Sequence, residues 1–192
     1  MDDGSDDDTS GIAKGYGVVV LRHDRNMGKG MALRTGFSYA LERGYELVMT
    51  MDGDGQHDPK YIPDFLKTIK ESDMVIGSRF LCDSHRDYHV VRRAGIRFFS
   101  RAVNMLTGSK ITDITSGYRA YRSETLKRLS PLPNRHWAVE QTMEALRKGL
   151  KVKELPVEMP TRSKGKSQFS PKTFIKYPFN MCTVILKVML FR

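Results

Sequence analysis

From residue 17 to residue 78, short apolar runs alternate with stretches of helical period, and this alternation constrains the fold more than any other feature. Residues 17–22 (Gly-Val-Val-Val-Leu-Arg) read as a buried strand. Residues 29–43 read as a helix, with Met31, Leu33, Phe37, Ala40 and Leu41 at helical spacing and Gly44 to close it. Residues 46–51 predict a second strand. Pro59 suits the first turn of a helix running to about Glu71, and residues 73–78 predict a third strand. Strand and helix in turn predict an α/β fold, a mostly parallel sheet flanked by helices.

Further along, residues 90–107 predict a long helix, residues 111–122 a turn-rich extended segment, residues 137–148 a helix ended by Gly149, and residues 151–158 another extended stretch. Residues 160–171 form a basic loop, and residues 172–192 mix apolar and cationic side chains. The 192 residues suffice for one domain with its own core. The opening, with five aspartates among the first eight residues, is a turn sequence of the kind that follows a strand, so the chain is expected to be incomplete at its N-terminus.

The formal net charge of +10 calls for an anionic partner: nucleic acid, a phosphorylated substrate or an anionic membrane face. The excess sits in the second half. Residues 86–128 carry ten Lys or Arg against three acids, and residues 151–192 nine against two. Aromatic residues are not interleaved with these basic clusters as stacking platforms would be, which argues against nucleic acid. The two cysteines, Cys82 and Cys182, match no zinc spacing and suggest a reducing compartment.

Asp52-Gly53-Asp54-Gly55-Gln56-His57 follows directly on the strand expected at residues 46–51. Ligands of open α/β sheets bind beyond the carboxyl ends of the strands. Two carboxylates at i and i+2, with the Gln56 amide oxygen, suit a hard cation such as Mg²⁺ or Mn²⁺ that takes its other ligands from water and phosphate. An EF-hand is excluded, because the sixth loop position is His57 and the twelfth Pro63. Gly28-Lys29-Gly30 is no Walker loop: its first glycine would be His23, and the Ser or Thr after the lysine is Gly30.

Six motifs occur in order: Asp2-Asp3-Gly4-Ser5-x-Asp7-x-Thr9, Asn26-x-Gly28-Lys29-Gly30-x-Ala32, Asp52-x-Asp54-x-Gln56-His57, Gly77-Ser78-Arg79, Asp113-x-x-Ser116-Gly117-Tyr118-Arg119, and Arg162-x-x-Gly165-x-Ser167. Together they resemble the inverting family 2 glycosyltransferases of the Rossmann-like GT-A fold, in the dolichol-phosphate mannosyltransferase and polyprenyl-phosphate glycosyltransferase branch. That resemblance implies a GT-A domain over residues 1–171 lacking the usual first strand. It also implies metal ligands Asp52, Asp54 and Gln56, with Asp2, Asp3, Lys29 and Asp52 near a nucleotide-diphosphate sugar donor. A polyprenyl or dolichyl phosphate acceptor would meet Arg79 and the later basic residues. Asp113 is the candidate base, with Arg119 its neighbour in the motif. A second reading keeps the fold but takes a polysaccharide or protein hydroxyl as acceptor.

Arg93, Arg97 and Arg101 recur every four residues and share a helix face, where an anion would relieve their repulsion. Val91, Phe98, Phe99, Ala102 and Leu106 would supply the buried side of that helix. Arg162, Lys164 and Ser167 offer a loop to close over phosphate oxygens. Residues 172–192 suit an amphipathic membrane-interface segment, which would make the protein peripheral on the cytoplasmic face; packing on the domain or on a twin subunit, a homo-oligomer, is the competing account.

Overall fold

The computed structural model of the chain describes residues 1–82, 90–160 and 171–191, with residues 171–178 as backbone only. In chain order its elements are α1 (Thr9–Gly15), α2 (Lys29–Glu42), β1 (Leu47–Thr50), α3 (Ile62–Thr68), β2 (Met74–Ser78), α4 (Val90–Thr107), β3 (Arg119–Arg122), α5 (Ser123–Arg128), α6 (Trp137–Arg147), β4 (Val152–Pro156) and α7 (Pro171–Phe191). Two 3₁₀ turns, Pro59–Tyr61 and Ile69–Glu71, flank α3 and complete the span expected of one helix. Asp58 caps the first of these by accepting from Lys60 N at 2.9 Å.

The four strands lie in the order β1-β3-β2-β4. β3 runs antiparallel to both neighbours, whereas β2 and β4 are parallel. Three strands therefore share one direction, as an α/β sheet requires, and the fourth is inserted against them. The pairings make the sheet mixed.

Side chains alternate across the sheet with the period of two that a strand imposes. Met74 and Ile76 of β2 join Phe37, Phe99, Val103, Trp137 and Met143 on one face. Val75 between them packs with Phe65, Ile69, Tyr118 and Val157 on the other. Helices cover both sides, as expected.

The strand expected at residues 17–22 does not form. A single parallel bridge joins Asp2 to Arg22, through Asp2 N to Leu21 O at 2.8 Å and His23 N to Asp2 O at 3.0 Å. A strand needs a neighbour to satisfy its amides along its length. Among the described residues none lies alongside, and Val18 and Val19 are exposed. The aspartate-rich opening instead leads into α1, a helix the sequence reading did not foresee; Asp7 accepts from Thr9 N at 3.1 Å at its start.

The apolar face expected for α4 is also corrected. The helix buries Ile96, Phe99, Ser100 and Val103, while Val91, Phe98 and Leu106 are exposed. Apolar residues occur on two stripes, and contact with α6 and α7 selects one of them. Ser100 is tolerated inside because its hydroxyl donates to Thr112 O at 3.1 Å. α7 docks through Met181, Val184 and Val188, with Lys187 Nζ 2.9 Å from Glu140 Oε1 of α6. Phe179, Leu186, Leu190 and Phe191 remain exposed.

Candidate active site

The site forms where the carboxyl end of β1 meets the first turn of α2. Gly28 precedes α2 with φ 93°, a backbone conformation that glycine adopts without strain. Asp3 fixes this approach: its carboxylate accepts from Met27 N at 2.9 Å and Gly28 N at 2.8 Å, and lies 2.7 Å from His23 Nδ1. Gly30 lets the first turn press on the loop ahead of α6, where a Cβ would come within 2.1 Å of Pro133 O.

So held, Lys29 extends its Nζ to Asp52 Oδ1 at 2.5 Å. The same ammonium lies 5.6 Å from the centre of the Trp137 ring at the start of α6. Gly117 completes the cluster: a Cβ there would stand 3.3 Å from Lys29 Nζ, 3.5 Å from Trp137 and 3.6 Å from Asp52 Oδ1. Thr50 secures that loop by donating to Gly117 O at 2.8 Å.

Beneath the acidic loop, His57 accepts from Asp52 N through Nδ1 at 2.9 Å and stacks on Tyr118. Burial holds the imidazole below its ordinary pKa against the opposing pull of Asp52, so the ring is neutral and Nδ1 can accept. Asp54 Oδ1 accepts from Gln56 N at 3.1 Å, and the Gln56 amide donates to Pro160 O at 2.8 Å. The Gln56 amide oxygen is thereby turned away from that contact.

Asp52, Asp54 and Gln56 offer only oxygen donors, which suits Mg²⁺ or Mn²⁺ and not a soft metal. Among the described residues, no group of three or more His, Cys, Asp or Glu gathers to hold a metal. By its oxygen chemistry the donor set would suit a hard cation that takes its remaining ligands from water or phosphate.

Both carboxylates are already engaged, that of Asp3 by the approach to α2 and that of Asp2 by its own loop and α1. Asp2 accepts from Ser5 N at 2.9 Å, Ser5 Oγ at 2.6 Å and the Ser10 hydroxyl, with Arg22 Nε 3.7 Å away; these contacts, led by Ser10, lower its pKa to about 2.

Asp113 does not pair with its motif neighbour. It is fully buried against Arg79, with Nε to Oδ2 at 2.6 Å and a terminal nitrogen to Oδ1 at 2.8 Å. Burial pushes the carboxyl up, but the Arg79 guanidinium outweighs this and holds it below the ordinary range. A carboxylate locked in this way is not presented as a base. Arg119 is equally inaccessible: it donates to Ser116 O at 2.7 Å, and to Ala138 O and Thr142 Oγ1 both at 2.9 Å, tying the β3 approach to α6. Its role in the structure is to join these elements.

Arg93 and Arg97 lie on α4, where Arg97 stands 5.6 Å from the ring of Phe80, the residue after Arg79. Arg162, Lys164 and Ser167 fall outside the described residues. Sequence reasoning missed Trp137 and the wall it forms. As the single tryptophan, at a predicted helix start, it was visible, but only the fold sets it beside Lys29.

The model for Glycosyl transferase family 2 matches residues 1–130. An undecaprenyl-phosphate mannosyltransferase of Micrococcus luteus is 33% identical over 180 residues, covering 88% of this chain and 74% of that protein. A polyprenol monophosphomannose synthase of Mycolicibacterium smegmatis is 31% identical over 182 residues, covering 88% and 69%. Among solved structures, glucosyl-3-phosphoglycerate synthase of Mycobacterium tuberculosis aligns with a TM-score of 0.68 at 17% identity, covering 96% of this chain and 66% of that one. Another crystal structure of that synthase, with Mn²⁺, uridine diphosphate and glucosyl-3-phosphoglycerate, aligns at 0.66 with 16% identity, covering 98% and 67%. The chain thus spans about two thirds to three quarters of these proteins, and about half of some other relatives, such as a dolichol-phosphate mannosyltransferase of Pyrococcus furiosus, covered to 51%. Family model, relatives and fold agree: the chain belongs to glycosyl transferase family 2 and has the GT-A fold.

Proposed function

We propose that the chain transfers a hexose from a nucleotide-diphosphate sugar, of the GDP-mannose or UDP-glucose kind, to a polyprenyl phosphate, with inversion at the anomeric carbon. The observation that carries this reading is the convergence of Lys29, Asp52, Gly117 and Trp137 at one strand end. Relatives named for polyprenyl-phosphate mannosyl and dolichyl-phosphate hexose transfer support it.

Asp52 and Asp54 would hold Mg²⁺ or Mn²⁺, with the Gln56 amide oxygen beside them, and such a cation supplies charge stabilisation to the departing diphosphate. Lys29 adds a second positive charge on the same side. The Arg79–Asp113 pair ties the loop at residues 113–117 to the end of β2. An acceptor phosphate is anionic near neutral pH and attacks without a base, which accords with Asp113 being committed to Arg79.

The acceptor's lipid suggests where the protein works. Val91, Phe98 and Met105 repeat every seven residues along the exposed face of α4, and Phe179, Leu186, Leu190 and Phe191 are exposed on α7, which contacts it. With Arg97 and Arg101 exposed among them, these helices suit an anionic membrane surface such as the cytoplasmic leaflet. Among the described residues no helix is long and apolar enough to cross a membrane.

The test is incubation with GDP-mannose or UDP-glucose, Mn²⁺ and a short-chain polyprenyl phosphate, with mass spectrometry of the lipid fraction. A hexosylated lipid phosphate is expected. Sugar appearing instead on phosphoglycerate, or on no acceptor, would overturn the assignment.

A further inference from the structure

Lys29 occupies an awkward place for a cation. It is the first residue of α2, a 14-residue helix with no acidic side chain in its first turn, and the positive end of a helix disfavours an ammonium. Its backbone cannot relieve this. Asp3 holds the two preceding amides, and Asn134 Nδ2 donates to Met27 O at 3.1 Å from the opposite side. Only the side chain is free to choose, and it reaches Asp52 Oδ1 at 2.5 Å, with both groups partly open to solvent.

We propose that Lys29 is an internal counter-cation which competes with the divalent cation for Asp52 and must leave that carboxylate when the cation binds. The inference rests on the cation-binding role proposed for Asp52. The surroundings allow the exchange: Gly117 has no side chain beside Nζ, and the ammonium already lies over the face of Trp137, 5.6 Å from its centre, a contact it can keep or shorten on leaving Asp52. A placeholder of this kind keeps the Asp52 carboxylate from standing uncompensated. It also makes a bare cation bind weakly, because binding requires an ion pair to break. A cation that arrives with a diphosphate loses less, since the released ammonium then has a new anion to meet.

The experiment measures Mn²⁺ binding by electron paramagnetic resonance of the free ion, at low ionic strength and without nucleotide, on wild type, Lys29→Met, Lys29→Gln and Asp52→Asn. Circular dichroism checks each fold. Both Lys29 variants should bind Mn²⁺ roughly two- to fivefold more tightly than wild type, the range expected of a lost solvent-exposed ion pair. The gain should shrink as salt is added. Asp52→Asn should weaken binding. Because the chain has one tryptophan, Mg²⁺ should also change its emission in wild type and leave it unaltered in Lys29→Met. Unchanged or weaker Mn²⁺ affinity in folded Lys29→Met and Lys29→Gln overturns the competition while leaving the cation site standing. Wild-type binding that is indifferent to Asp52→Asn overturns the site itself, and the competition with it.

Discussion

Arg79 and Asp113, 34 residues apart in sequence, close a buried two-point ion pair between the end of β2 and the loop that leads to Gly117. Removing one partner strands the other's charge in the interior. Asp113→Ala should therefore lose about 3–5 kcal/mol of stability in urea denaturation, whereas the paired replacement Arg79→Met with Asp113→Leu should recover most of that loss. Equal losses in the single and paired variants would show that the pair is not the source.

Two glycines of α2 should respond in opposite directions to alanine. At Gly30 the new Cβ would meet the carbonyl of Pro133 at 2.1 Å, so Gly30→Ala should destabilise by about 1–3 kcal/mol. Gly36 has open space around it, and Gly36→Ala should stabilise by about 0.5–1 kcal/mol through helix propensity. Thermal melts of the two variants suffice to check the signs.

Asp2 ties acid stability to the opening loop. Its folded pKa of about 2 lies below the ordinary 3.8, so its contribution is fully present above the ordinary value and is lost as pH falls from there through about 2. Asp2→Asn should lower the melting temperature at neutral pH and flatten its decline across that acid window. A variant whose acid profile parallels wild type would contradict the assignment.

The two faces of α7 should separate cleanly. Met181 is fully buried, and Met181→Ala should cost about 2–5 kcal/mol. Serine at Phe179, Leu186 and Leu190 should leave the melting temperature nearly unchanged while reducing sedimentation with phosphatidylserine vesicles. If the serine variant sediments like wild type, α7 does not meet the membrane.

Most of the architecture was legible because periodicity records burial. The spans of α2, α4 and α6, and strands β1, β2 and β4, fall where the apolar spacing put them. Other features were not legible, the short helices α1 and α5 among them. The run Val18–Leu21 has the composition of a strand but lacks, among the described residues, a neighbour along its length, and pairing is a tertiary property. α4 carries apolar residues on two stripes, so only the packing of α6 and α7 decides that Phe99 goes inside while Phe98 stays 65% exposed. In the site, Asp52 and Lys29 belonged to separate motifs whose meeting follows from the fold. The Asp113 motif holds Arg119 as a sequence neighbour but says nothing of the residue that Asp113 pairs with. Arg79 prevails because β2 carries it to the same loop from the sheet interior.

In the proposed reaction, Asp52 anchors a metal-assisted hexosyl transfer to a lipid phosphate. The most direct measurement is initial-rate transfer of radiolabelled hexose from GDP-mannose or UDP-glucose into extractable polyprenyl phosphate, with Mn²⁺ or with chelator, for wild type and Asp52→Ala. The account predicts lipid-linked label only for wild type with metal, and a loss of at least about a hundredfold in Asp52→Ala. Transfer by Asp52→Ala at the wild-type rate, or full transfer in chelator, would contradict it.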